Sequence, residues 1–243
     1  MVDAHFGEPR LARIYDRLDP DRSDLDVYAE LVDELGARSV LDIGCGTGTF
    51  ACVLARRGIE VTAVDPALAS IDVARDKPEA ERVRWLQGDA TTLPPLQVDL
   101  ATMTANVAQV FISDEDWAGT LAGIRAALRP GGRLVFEVRD PARRAWEGWT
   151  RVRTRRRVEI PSVGVVETWI DLTDVRLPLV SFRTTFVFGV DGATLISNST
   201  LRFRTEAEIR GSLRAADLGV LEVRDAPDRP GRELVFVAER PTR

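Results

Sequence analysis

Apolar positions along this chain follow two periods, helical and extended, and the two alternate. Leu11, Ile14, Tyr15 and Leu18 recur at helical spacing until Pro20 breaks the run. Leu25, Tyr28, Leu31, Val32 and Leu35 repeat the pattern from a start at Ser23 or Asp24 to a stop at Gly36. An apolar run of strand length, 40–43, then passes through glycines into a helical stretch, 50–55, closed by Arg56-Arg57-Gly58. The alternation continues with strand 59–64, a helix through Ile71, Val73 and Ala74, strands 83–87 and 98–103, a helix carried by Leu121, Ile124, Ala127 and Leu128, and strand 134–138. Acids at 114–116 open that last helix where its dipole favours them, and Arg129-Pro130-Gly131-Gly132 ends it. Buried strands separated by amphipathic helices predict a mostly parallel sheet covered on both faces.

From Asp140 the helical period fades. Stretches 152–160, 165–172, 180–190 and 194–203 are rich in Val, Ile, Thr and aromatic residues, and Gly189-Val190-Asp191-Gly192 marks a hairpin, so a small antiparallel sheet is expected. A helix over 206–218 and strands over 220–224 and 233–239 return to the earlier alternation. The small sheet therefore interrupts one α/β domain and does not follow it. The expected organisation is N-terminal helices over 1–36, a core over 37–140, an insertion over 141–204 and a closing helix and strands over 205–243.

The chain has 243 residues, 44% hydrophobic and 29% charged, enough to bury a real core. Its net charge of -5 gives no general attraction to nucleic acid or anionic lipid, and neither is expected as a partner. The first eight residues lack both a basic and an apolar region, and no run of about 18 apolar residues occurs, which predicts a cytoplasmic protein. Cys45, Cys52 and His5 are too few for a recognisable zinc site, and the two cysteines read as small apolar fillers. No metal is expected.

Chemistry concentrates at Val40-Leu41-Asp42-Ile43-Gly44-Cys45-Gly46-Thr47-Gly48. Glycines at a strand-to-helix junction let the backbone turn sharply and approach a ligand closely. A dinucleotide loop reads G-x-G-x-x-G and lays pyrophosphate on a helix N-terminus. This one reads G-x-G-x-G with Asp42 beside it, a carboxylate that repels phosphate and suits a cation. The segment D-I-G-C-G-T-G resembles the first motif of class I S-adenosylmethionine-dependent methyltransferases. Further landmarks in order, closing at Leu128-Arg129-Pro130-Gly131-Gly132-Arg133-Leu134, extend the resemblance over residues 38–140.

That resemblance implies a three-layer, Rossmann-like α/β fold whose seven-stranded, mostly parallel sheet carries an inserted antiparallel one. It implies S-adenosylmethionine as cofactor, S-adenosylhomocysteine as product, and donor contacts from Asp42, Gly44, Cys45, Gly46 and Gly48. Asp65 followed by Pro66 at the end of the second strand is placed to accept hydrogen bonds from both ribose hydroxyls, though it reads equally as a cap for the following helix. Asp89 and Ala90 are implied to read adenine, with a plain turn acid as the alternative. Thr104 and Asn106 lie at the end of the fourth strand, where open α/β sheets bind ligands, and Asn106 also reads as a residue holding its own loop. No Asn/Asp-Pro-Pro-Tyr motif of nucleic-acid amine methyltransferases stands there.

The insertion resembles that of aminosugar N-methyltransferases and related small-molecule enzymes, where such a sheet covers the acceptor or mediates dimerisation, so a homodimer is an open expectation. In that group a tyrosine in an early Tyr-Asp pair meets the donor's carboxylate end. Tyr15-Asp16 matches, with packing as the alternative for Tyr15 and Arg22 as a further carboxylate partner. Trp146, Trp149 and Trp169 read as acceptor-pocket walls or sheet core. Arg151, Arg153 and Arg155 are expected on one strand face, as contacts to an acidic acceptor or a nucleic-acid backbone, or as a solvated edge kept from pairing. Glu137 and Arg139 point to the acceptor side, Gln109 and Phe111 have similarly divided readings, and His5 is expected in a free terminus. No catalytic residue is named, because in-line displacement needs mainly orientation and exclusion of water. The expected function is methyl transfer to the nitrogen or oxygen of a small molecule. The alternative is a donor-binding but inactive scaffold, and a nicotinamide oxidoreductase is disfavoured by the glycine spacing.

Overall fold

The structure, a computed structural model, describes residues 2–242. Three single helical turns, α1 (Ala4–Gly7), α2 (Pro9–Ala12) and α3 (Tyr15–Leu18), precede α4 (Asp24–Glu34). The core then alternates β1 (Ser39–Ile43), α5 (Thr49–Arg56), β2 (Glu60–Asp65), α6 (Leu68–Arg75), β3 (Val83–Gln87), β4 (Val98–Met103), α7 (Asp114–Ala127) and β5 (Leu128–Arg139). A short helix α8 (Arg151–Thr154) leads to strands β6 (Arg156–Ile160), β7 (Gly164–Arg176), β8 (Leu179–Phe188) and β9 (Thr194–Arg202). The chain closes with α9 (Glu206–Ala215), β10 (Gly219–Asp225) and β11 (Glu233–Glu239).

Seven strands make one sheet in the order β10-β11-β5-β4-β1-β2-β3. Neighbours from β3 across to β5 are parallel, and only β11 runs against its neighbours. Strand order reverses between β1 and β4, which opens a crevice at their carboxyl ends. One face of the sheet, with Leu41, Met103, Leu134 and Phe136, packs under Trp117, Leu121 and Ile124 of α7 and Ile209 and Leu213 of α9. The other, with Val40, Val61, Leu100 and Val135, packs under Leu25, Tyr28 and Val32 of α4 and Phe50 and Leu54 of α5. This is the three-layer α/β arrangement, and β6 to β9 form a separate antiparallel sheet in chain order.

The N-terminal turns sit on that second sheet. Leu11, Ile14 and Leu18 pack against Ile160, Val166, Phe186 and Phe188, each such side chain contributing about 1.5–3 kcal/mol of burial. Arg10 adds an ion pair to Asp191 at 2.8 Å. Residues 4–18 thus form separate turns and not the one long run expected before Pro20. Pro9 starts a new turn at its first position, and Ile14, between α2 and α3, takes a bridge-like conformation with φ -99° and ψ -7°.

Three further expectations are corrected. Residues 151–154 are helical and the strand begins only at Arg156, so Arg151, Arg153 and Arg155 do not share a strand face. Thr154 is the reason: its hydroxyl accepts the Ile170 N–H at 2.8 Å and donates to the Thr150 carbonyl, capping the ladder before those arginines can join it. Arg151 instead stacks 4.0 Å over Trp169, and Arg155 pairs with Glu167. The fifth strand includes the Arg129–Gly132 segment expected to be a turn, because Gly131 and Gly132 exchange backbone hydrogen bonds with Arg240 at 2.8 Å each. His5 does not lie in a free terminus. It sits in α1 with its ring 5.0–5.2 Å from those of Phe6, Tyr15 and Phe186, and its backbone N–H donates to Ser197 Oγ.

Candidate functional site

Four chain segments meet at the carboxyl ends of β1, β2, β3 and β4. The loop after β1 carries left-handed residues at Gly44, Gly46 and Gly48, with φ of 69°, 53° and 75°. At Gly44 a Cβ would lie 2.7 Å from the Val107 side chain, and at Gly48 it would overlap Trp85 and stand 2.7 Å from Ala74. These two glycines let β3, α6 and the loop after β4 close onto the backbone. Gly46 has no neighbour within 4 Å of its Cβ position and faces open space.

Asp65 ties the loop to the second strand. One carboxylate oxygen accepts the Gly46 N–H and the other the Ala67 N–H, both at 2.8 Å. Burial raises its pKa, while those two backbone bonds oppose the shift. The capping alternative is thus realised in part, since Asp65 serves the start of α6 while one of its oxygens sits at the glycine loop. Pro66 beside it is exposed.

Asp42 is buried at 1% exposure inside β1. One oxygen accepts the Thr102 hydroxyl at 3.1 Å, and the other is enclosed without a partner. Burial pushes its pKa up to about 7, with the Thr102 bond opposing and the Asp65 charge adding. A buried acceptor with no donor calls for a cation or an N–H. Cys45, between the two acids in space, has its thiol held protonated by burial first and by their charges next.

Gly88 donates to the Asp65 carbonyl at 3.1 Å, which sets Asp89 beside the second strand. Asp89 is exposed and accepts from the Thr91 N–H and hydroxyl at 2.8 and 2.6 Å, while Ala90 is buried under α7. Thr104 is half-buried. Asn106 is buried with φ 63°; its N–H donates to Glu137 at 2.8 Å and its side-chain amide donates to Glu233. Asn106 is thus committed to holding its loop, with only Oδ1 left without a partner.

Tyr15 is half-buried against His5 and Phe6. Its neighbour Asp16 reaches the glycine loop, accepting from Thr47 at 2.7 Å and Thr49 at 3.2 Å and pairing with Lys77 at 2.7 Å. Arg22 pairs with Asp24. Sequence reasoning left Asp16, Thr47, Thr49 and Lys77 without roles; the single signal was the Tyr-Asp pair. It also missed how Glu137 and Glu233 grip Asn106. Glu137 is buried, and its pKa is pushed up to about 8 by that burial.

Of the tryptophans, Trp146 is core, packed on Phe203 and Val180. Trp149 leans on Phe182 with Arg139 over its ring at 5.7 Å, and Gln109 accepts from Arg139 at 3.0 Å. Trp169 alternates with the inward-facing Val166 and Thr168 and so lies on the opposite face of the small sheet. No helix among the described residues is long and apolar enough to cross a membrane.

Residues 40–132 match a family model described as a methyltransferase domain. The cypemycin N-terminal methyltransferase of a Streptomyces species is 36% identical over 109 residues, 44% of each chain. The ubiquinone biosynthesis O-methyltransferase of Methylocella silvestris is 40% identical over 98 residues, 40% of this chain and 38% of that one. The chain spans between a quarter and about half the length of the curated relatives it matches. Among solved structures, the CcbJ methyltransferase of Streptomyces caelestis superposes with a TM-score of 0.76 at 22% identity, covering 95% of this chain and 96% of that one. The amino pentose methyltransferase CalS10 of Micromonospora echinaspora, solved with S-adenosylmethionine, gives 0.71 at 21%, covering 93% and 96%. The shared fold therefore includes the inserted sheet.

Proposed function

We propose, from the match of residues 40–132 to a methyltransferase domain, that this protein transfers a methyl group from S-adenosylmethionine to the nitrogen or oxygen of a small molecule. The observation that carries the reading is the loop itself. Gly46 faces open space with its N–H on Asp65, and the enclosed, unpartnered oxygen of Asp42 lies just behind. The donor carries an ammonium, a sulfonium and two ribose hydroxyls, which fit a site built from acceptors and bare backbone, where the Lys77 ammonium is already neutralised by Asp16.

Asp42 and the loop would hold the cationic end of the donor, Asp65 the ribose, and Asp89 with Ala90 the base. When bound, the donor supplies a methyl carbon activated by positive sulfur. The protein's part is to aim the acceptor's lone pair along that bond and exclude water. The inserted sheet supports a small-molecule reading, since sugar and amino pentose methyltransferases are among the solved structures of the same architecture. Arg139 at the end of β5 and Trp149 in the turns that follow it are the side chains offered to the acceptor, and the buried Gln109 holds Arg139 from the turn after β4.

Calorimetric titration with S-adenosylhomocysteine, with NAD as the control, tests the donor. Binding of the first and not the second is expected, and the reverse result overturns the reading. Turnover of radiolabelled donor with small amines and alcohols separates an enzyme from an inactive scaffold.

A further inference from the structure

We propose that Asp16 is the positioning residue of the glycine loop: from the N-terminal segment it holds Thr47 and Thr49 on either side of Gly48, so that the loop keeps its binding shape only while residues 4–19 are docked. The inference rests on the donor reading of that loop.

The contacts form one continuous chain. Asp16 Oδ1 accepts from the Thr47 hydroxyl at 2.7 Å and the Thr49 hydroxyl at 3.2 Å, and Oδ2 pairs with Lys77 Nζ at 2.7 Å. Lys77 in turn donates to the Thr49 hydroxyl at 2.6 Å. A single carboxylate from the N-terminal segment therefore joins the loop, the first turn of α5 and the tail of α6. Hydrogen bonds to an ionised acceptor are about twice as strong as neutral ones. Trp85 and Ala74 pack against the Gly48 backbone, and Val107 against that of Gly44. Thr47 is 4% exposed, and among the described residues its hydroxyl bonds Asp16 alone.

Asp16 spends one oxygen on two threonine hydroxyls and the other on the Lys77 ammonium, so its action on the site runs through the loop that those threonines flank. The segment that carries it is anchored elsewhere by independent contacts: Leu11, Ile14 and Leu18 on the inserted sheet, Ser70 Oγ donating to the Phe6 carbonyl, and Arg10 on Asp191. Losing Asp16 removes the contact to the loop without removing the anchor. The segment stays in place while Thr47 and Thr49 lose what fixes them.

The test is calorimetry with S-adenosylhomocysteine on the full chain, alongside thermal melts without ligand. Asp16→Ala should weaken binding at least tenfold, equivalent to about 1.4 kcal/mol, while the ligand-free melt shifts little. Asp16→Asn, which keeps the shape and removes the charge, is the second variant should alanine fail to fold. Thr47→Val should cost a similar factor and add little to Asp16→Ala in the double variant, and Thr47→Ser, which keeps the hydroxyl, should restore affinity. Arg10→Gln, which removes the pair to Asp191 and the stacking over Phe188 but leaves Leu11, Ile14 and Leu18 docked, should bind within twofold of the native chain. Asp16 variants that bind within twofold, or additive losses in the double variant, would each overturn the inference while leaving the donor reading intact. A native chain that does not bind overturns both.

Discussion

The backbone N–H of Asn106 donates to the carboxylate of Glu137 at 2.8 Å, across the gap between β4 and β5. Ala105 and Asn106 are both left-handed, with φ of 57° and 63°, at a strand tip beside the glycine loop. Such residues cost of order 1–3 kcal/mol each and persist where surrounding structure over-determines them. Glu137 supplies that determination, reinforced by Glu233 on the Asn106 amide.

Glu137 therefore links stability to pH. Its folded pKa, about 8, lies above its ordinary 4.5, so the folded state binds the extra proton between those values. Stability from this group is complete below about pH 4.5 and is lost as pH rises through about 8. Urea unfolding at pH 5 and pH 8 should show a decline on the order of a few kcal/mol, shallower in Glu137→Gln. Equal slopes in both proteins would disprove the assignment.

Asp42 makes donor affinity depend on pH in the opposite sense. With its pKa at about 7, half the ligand-free molecules carry a neutral acid there at neutral pH, and a bound ammonium favours the ionised form. S-adenosylhomocysteine should bind about tenfold more tightly at pH 8 than at pH 6, with proton release visible as a buffer-dependent binding heat. Asp42→Asn should bind weakly and without that pH dependence.

Asp65→Ala removes the acceptor for Gly46 as well as the proposed ribose contact. The expected cost to S-adenosylhomocysteine affinity is roughly 1–3 kcal/mol by calorimetry, through lost charged hydrogen bonds. Unchanged affinity in a folded variant would remove Asp65 from the donor site.

His5 is the single histidine, so one imidazole signal reports it. Burial first and the Arg156 charge second lower its pKa to about 4. The unfolded chain binds the proton between about 4 and 6.5, so stability from this group is present above 6.5 and lost as pH falls through 4. The C2–H resonance should titrate near pH 4 in the folded protein. A midpoint near 6.5 would show that α1 is not packed on the small sheet.

The core strands and helices were legible because burial on both faces dictates their apolar runs, and Gly44, Gly46 and Gly48 are residues whose backbone geometry excludes a side chain at two of the three positions. That Asp42, the loop and Asp65 converge at one sheet edge was legible from their order; the roles given to them are proposals. What escaped depended on contacts between distant positions. Thr154 capping the chain at Ile170 turned expected strand into helix, and the reach of Asp16 to Thr47 spans 31 residues. Short turns such as α1 to α3 carry little period of their own and take their shape from the sheet beneath them.

That bed of contacts under α1 to α3 has an evolutionary corollary. The second sheet is written as one uninterrupted cassette between β5 and α9, yet its inner face is tailored to Leu11, Ile14 and Leu18, which precede β1 in the chain. A lineage that exchanged the cassette alone would inherit mismatched upholstery, whereas one that moved both pieces together would acquire a new clientele while keeping its old engine.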